Sequence, residues 1–68
     1  MGKPIFITSF KDLPVLMDAV LVARLIGCDE ASIRRKANKG EIPSYRIGRF
    51  LRFKRDEILE YIEQNKLR

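Results

Sequence analysis

The sequence has no histidine and one cysteine, Cys28. Without an imidazole, acid–base chemistry near neutral pH loses its commonest agent. With one thiol, neither a Cys/His zinc cluster nor an intrachain disulfide can be built. A glycine-rich phosphate loop is also lacking, so no set of catalytic groups emerges and no enzyme activity, cofactor or metal is expected. Long apolar runs are missing too. Residues 14–26 come nearest, but Asp18 and Arg24 interrupt them, well short of the ~20 residues a bilayer span needs. A transmembrane helix is excluded, the start of the chain lacks the form of a secretory signal, and the expected compartment is the cytoplasm.

What is present suits one small domain. At 68 residues the chain buries only about 60% of the surface exposed when unfolded, so its core must be thin. A hydrophobic content of 46% is nevertheless above that of disordered chains. The formal charge is +5, and its placement says more than its size. Residues 34–55 hold nine Lys or Arg against one acid, Glu41, while the rest of the chain holds five bases and eight acids. One stretch therefore carries the whole positive excess, which points to a polyanionic partner.

The β-prone residues Ile5, Phe6, Ile7, Thr8 and Phe10 read as an added N-terminal strand or a disordered arm. The expected division is an arm over 1–15 and a folded domain over 16–66. Asp18 is a good N-cap for a helix bearing Ala19, Val22, Ala23 and Ile26, and Gly27 is a natural stop. Asp29 offers a second N-cap almost at once, for a helix over 30–39 closed by Gly40. Two short helices joined by a tight glycine turn make a helix-turn-helix. On the second helix Ile33 and Ala37 mark the buried side. A rotation of about 100° per residue puts Ala31, Arg35 and Asn38 opposite, flanked by Ser32, Arg34 and Lys39. Cys28 is expected to be a small buried residue.

Residues 41–53 alternate apolar and polar around Gly48, the pattern of a β-hairpin. Two registers compete. A loop of Gly48 and Arg49 puts Arg52 on the face of Tyr45 and Ile47. A three-residue loop over 48–50 groups Tyr45, Ile47, Leu51 and Phe53, with Arg46 and Arg52 opposite. The second is preferred, because the first places a charge on an apolar face. The last helix is expected from Arg55 or Asp56, with Ile58, Tyr61 and Ile62 inward and Glu57, Glu60 and Glu63 on a solvated face that repels DNA. The expected fold is mainly α with a small β-hairpin: helix, turn, helix, wing, helix.

These residues resemble the excisionase-type, MerR-like winged helix-turn-helix domain of phages, plasmids and integrative elements. The likeness covers about residues 16–62. It is carried by Gly40-Glu41-Ile42-Pro43, Tyr45-Arg46-Ile47-Gly48-Arg49 and Arg52-Phe53, with Leu25-Ile26-Gly27 and Ile33-Arg34-Arg35 before them. Departures are Val20 and Leu21 where the family commonly has Glu, Asp29 and Glu30 where it has Ser-Arg, and Lys36 where it has an apolar residue. The resemblance implies a second helix in the major groove and a wing against neighbouring backbone or minor groove. It also implies an architectural role beside a separate integrase or recombinase, or transcription regulation by the same module.

Arg35, near the centre of the exposed helix face, is the first candidate for base contact, with Ser32, Arg34, Asn38 and Lys39 around it. Arg can grip guanine O6 and N7, and Asn can grip adenine N6 and N7. Glu30 is expected to favour the helix N-terminus rather than to read cytosine. On the wing, Arg46, Arg49, Arg52 and Lys54, with Arg55 behind them, are expected to meet phosphates, Arg49 alternatively a narrow minor groove. Phe50 wedges near DNA, meets a neighbouring protomer or folds back over Leu51, the last being favoured. The expected partners are double-stranded DNA, neighbouring protomers on it, and an integrase or recombinase. A protein-docking module using Phe6 and Phe50 is the rival, and RNA binding a weaker third reading.

Overall fold

The computed structural model describes residues 12–67. In chain order β1 is Leu16–Met17, α1 Ala19–Ile26, α2 Glu30–Asn38, β2 Tyr45–Ile47, β3 Phe50–Lys54 and α3 Arg55–Gln64. The β-prone run at 5–10 lies outside the described residues. Among those described, no helix is long and apolar enough to cross a membrane.

Local chemistry sets the helix ends. The Leu21 amide donates to the Asp18 carboxylate at 2.9 Å, and the Ser32 amide to Asp29 at 3.0 Å. Each cap satisfies a donor that the first turn leaves without a helical partner, typically worth ~1 kcal/mol. At the far end of α1, Gly27 adopts φ 90° and the amides of Gly27 and Cys28 both donate to the Ala23 carbonyl. Cys28, expected inside, is exposed. It follows the left-handed Gly27 in the short link before α2, and that tight turn carries its thiol outward.

The core forms where α1 and α2 meet the sheet and α3. Val22, Ile33, Phe53 and Ile58 have no exposed surface, and Met17 and Ile42 are almost as deep. Burying a side chain of the size of Phe53 contributes ~1.5–3 kcal/mol. Among the described residues no polar or charged side chain is buried, so the core is apolar throughout.

The sheet is antiparallel with order β1-β3-β2, Leu16 facing Lys54 and Met17 facing Phe53. At two residues β1 is too short to show a period in the sequence. Its signal is Met17, which precedes the N-cap and is buried like Val22 in the next turn, the positions of a hydrophobic staple. The Arg55 amide donates to the Val15 carbonyl at 2.8 Å and extends this pairing.

The hairpin register is the two-residue one, not the three-residue loop preferred from sequence. Tyr45 faces Arg52, Arg46 faces Leu51 and Ile47 faces Phe50, leaving Gly48 and Arg49 as the turn. Gly48 has φ 62° and Arg49 does not have a positive φ, the glycine-first pattern of a type II′ turn. The preference failed because it assumed that Tyr45 and Ile47 pack on the core. All three β2 residues are exposed, whereas β3 turns Leu51 and Phe53 inward. Residues opposite one another across an antiparallel pair share a face. Tyr45, Ile47, Phe50 and Arg52 therefore lie together on the outer face, where Arg52 is only half-buried and its charge reaches water.

Candidate nucleic-acid interface

The two cationic elements meet where Arg46 reaches Asn38. Arg46, on the inner face of β2, points at α2, and its Nη2 donates to Asn38 Oδ1 at 3.3 Å. This bond joins the wing to the C-terminal end of α2, setting Arg46 beside Asn38, both exposed. Arg35 lies one turn earlier on α2, exposed, with Nη2 donating to Ser32 Oγ at 3.1 Å. Ser32 thus holds Arg35 through a neutral acceptor, leaving its charge available to an anion.

Arg34 is differently placed. Its Nε and Nη2 both lie 2.7 Å from Glu30 Oε2, an i,i+4 ion pair on the helix surface. Glu30 therefore engages Arg34 in addition to sitting in the first turn of α2. Lys36, at the position where the family has an apolar residue, is exposed and 4.0 Å from Glu41. Ile33 and Ala37 carry the buried side of α2 without it.

On the outer face of the wing Phe50 is 53% exposed and does not fold over Leu51, which points to the opposite face. The guanidinium of Arg52 lies 5.1 Å from its ring centroid and that of Arg49 5.9 Å, within cation–π range. Arg52 also donates to the Leu51 carbonyl at 2.8 Å, and Lys54 sits 5.9 Å from the Tyr45 ring. Arg46 and Arg52 consequently lie on opposite faces of the hairpin, not on one face as the three-residue loop would have it. Arg49 is at the tip between them. Arg55 is not part of the wing surface: its Nη1 donates to the Leu13 carbonyl at 3.0 Å and its Nε pairs with Asp56 at 3.2 Å.

The electrostatics favour an anion. Among the described residues, none of Arg35, Lys39, Arg46, Arg49, Arg52 and Lys54 has an acidic partner within ion-pair distance. Cations without acidic partners on the wing and α2 leave a positive field that a polyanion neutralises. The acid at the start of α2 is held in its charged form, because bonds from the Ser32 hydroxyl and amide lower the Asp29 pKa below its ordinary 3.8. One acid of α3 departs from the solvated ladder expected for it. Glu57 is half-buried and accepts from the Tyr45 hydroxyl at 2.8 and 3.0 Å. That bond pushes the Tyr45 pKa up, so the phenol remains a donor at neutral pH. The pair is not visible in the sequence, where Tyr45 groups with the apolar face of the hairpin and Glu57 with the solvated acids of the last helix. No group of three or more His, Cys, Asp or Glu with metal-holding geometry occurs among the described residues.

Comparison with known proteins agrees with this geometry. Residues 17–66 match the family described as Helix-turn-helix domain. The Transcriptional repressor DcmR of Methylorubrum extorquens is 37% identical over 49 residues, covering 69% of this chain and 18% of that protein. The chain therefore matches less than a fifth of that relative's length. No solved structure matches.

Proposed function

Because the chain belongs to the helix-turn-helix domain family, we propose that it is a sequence-specific binder of double-stranded DNA with no catalysis of its own. The observation that carries this reading is the Arg46–Asn38 bond, since it sets the wing and the exposed face of α2 side by side. In the proposed complex α2 lies in the major groove. Arg35 and Asn38 meet base edges there, with Ser32, Arg34 and Lys39 at its margins. Arg46 and Arg49 meet phosphates, and Arg49 at the tip is also long enough to enter a narrow minor groove. Phe50, Arg52 and Lys54 lie on the wing's other side and approach the neighbouring backbone.

Two biological roles use this chemistry. Control of transcription is favoured by the likeness to a repressor. The second reading is an excisionase-like architectural factor beside a recombinase, favoured by the Gly40-Glu41-Ile42-Pro43 entry to the wing. In either role one small module offers a limited interface, and neighbouring protomers on repeated sites supply the remaining affinity.

Binding titrations over a range of salt test the reading. With about six phosphate contacts, log affinity falls against log salt with a slope of about −5, and Arg46→Ala or Arg49→Ala reduces that slope by about 1 for every sequence. A salt-insensitive complex overturns duplex binding as the function. Bend measurements separate the roles: a strongly bent site favours the architectural one, and an unbent site overlapping a promoter favours repression.

A further inference from the structure

Among the described residues β2 is an edge strand of three residues, hydrogen-bonded to β3 alone and with no buried side chain. A short exposed ribbon of this kind is marginal in water, so its orientation depends on what ties it to the body of the domain. Among the described residues two side-chain hydrogen-bonded ties do this, and they differ in their fate. Arg46 to Asn38 joins two groups that the proposed complex gives to DNA, so that bond opens when binding occurs. Tyr45 to Glu57 lies on the opposite face of the hairpin and engages neither of them.

The second tie is the shorter one. Both bonds are charge-assisted, through the guanidinium in one and the carboxylate in the other, but the Tyr45 hydroxyl lies 2.8 and 3.0 Å from the two Glu57 oxygens, against 3.3 Å from Arg46 to Asn38. Lys54, 5.9 Å from the Tyr45 ring, offsets the negative charge on the same face. The fixed end is firm, because Glu57 precedes Ile58, which has no exposed surface. The tie spans 12 positions and connects the wing to α3 directly.

We propose that Tyr45 and Glu57 are positioning residues for DNA binding, a latch between wing and α3 that holds Arg46 and Arg49 at the phosphates while α2 occupies the groove. This rests on the duplex-binding reading above. It gives Glu57, an acid beside a polyanion site, a reason to be there: its charge is engaged by the Tyr45 hydroxyl, and through it the wing is aimed.

The test compares the wild-type protein with Tyr45→Phe, which keeps the ring beneath Lys54 but loses the hydroxyl, and Glu57→Gln, which keeps an acceptor. Three quantities are measured: duplex affinity across salt, melting temperature, and amide hydrogen exchange at residues 45–47. The expected result is that Tyr45→Phe binds about three- to tenfold more weakly with a salt slope shallower by about 1. Its β2 amides exchange faster at a nearly unchanged melting temperature. Glu57→Gln keeps an acceptor without charge assistance, so its β2 amides exchange faster than wild type and more slowly than Tyr45→Phe. Wild-type affinity and slope in Tyr45→Phe overturn the latch, as does an affinity loss fully explained by the unfolded fraction. If the wild-type protein itself shows no salt-dependent duplex binding, the DNA reading fails instead. The exchange rates then decide the latch alone, and equal rates in wild type and Tyr45→Phe overturn it.

Discussion

β2 and β3 are partners in one hairpin, yet β3 buries Leu51 and Phe53 while β2 is exposed at every residue. β3 lies at the centre of the sheet, between β1 and β2, so its inner face covers the core. β2 is at the edge and projects past that core, and its apolar Ile47 remains 49% exposed. Alternation of apolar and polar residues therefore means burial in one strand and nothing of the kind in its neighbour. The division separates stability from binding: β3 holds the domain together, and β2 presents Arg46 and depends on Asn38 and Glu57 for its aim.

Substitutions can break or sharpen this contrast. The largest effect is expected at Phe53→Ala, which removes a fully buried ring and lowers stability by ~3–5 kcal/mol in denaturant unfolding. Ile47→Ala, across the hairpin, costs no more than about 1 kcal/mol by the same measurement. Equal losses at both positions erase the distinction between the strands. Arg35→Ala leaves folding intact but removes about 1–3 kcal/mol of discrimination between the preferred site and a mismatched one. Competition binding reads this, and an unchanged preference shows that another side chain reads the bases. Gly48→Ala has room for its methyl group, since nothing lies within 4 Å, but it forces an L-residue to φ 62°. The expected cost is ~1–2 kcal/mol, read as a lower melting temperature with faster exchange in the hairpin. A neutral result argues against the two-residue turn.

The smallest effect concerns acid. The folded Asp29 pKa lies below 3.8, chiefly through the Ser32 hydroxyl and then its amide. A carboxylate whose folded pKa is lowered stabilises the folded state above its unfolded value, and that contribution is lost as pH falls through the folded value. α2 should therefore weaken below pH 3.8 in the wild type, and less steeply in Asp29→Asn. Circular dichroism across an acid titration measures the difference. Identical titrations in the two proteins remove Asp29 as an acid-sensitive cap.

Several features were legible one segment at a time. Asp18, Asp29 and Gly27 act within three to five residues of themselves, so the ends of α1 and α2 follow from local sequence. Ile33 and Ala37 are the buried pair of α2, as their spacing requires. Other features were not legible because their partners are remote. Arg55 pairs with its neighbour Asp56, but its bond to the Leu13 carbonyl spans 42 positions, and nothing near it in the sequence announces that contact. Glu57 looked like one acid of a solvated ladder until the fold brought Tyr45 to it.

Sequence alone determined the helices, their caps, the hairpin and the concentration of positive charge between residues 34 and 55, because each depends on bonds or spacings internal to a short stretch. Only the tertiary structure decided the register of the wing, the exposure of Cys28 and the separation of Arg46 from Arg52 onto opposite faces. Those depend on how far the hairpin projects beyond the core and which remote side chain meets it, distances set by packing between elements rather than by the order of residues within one.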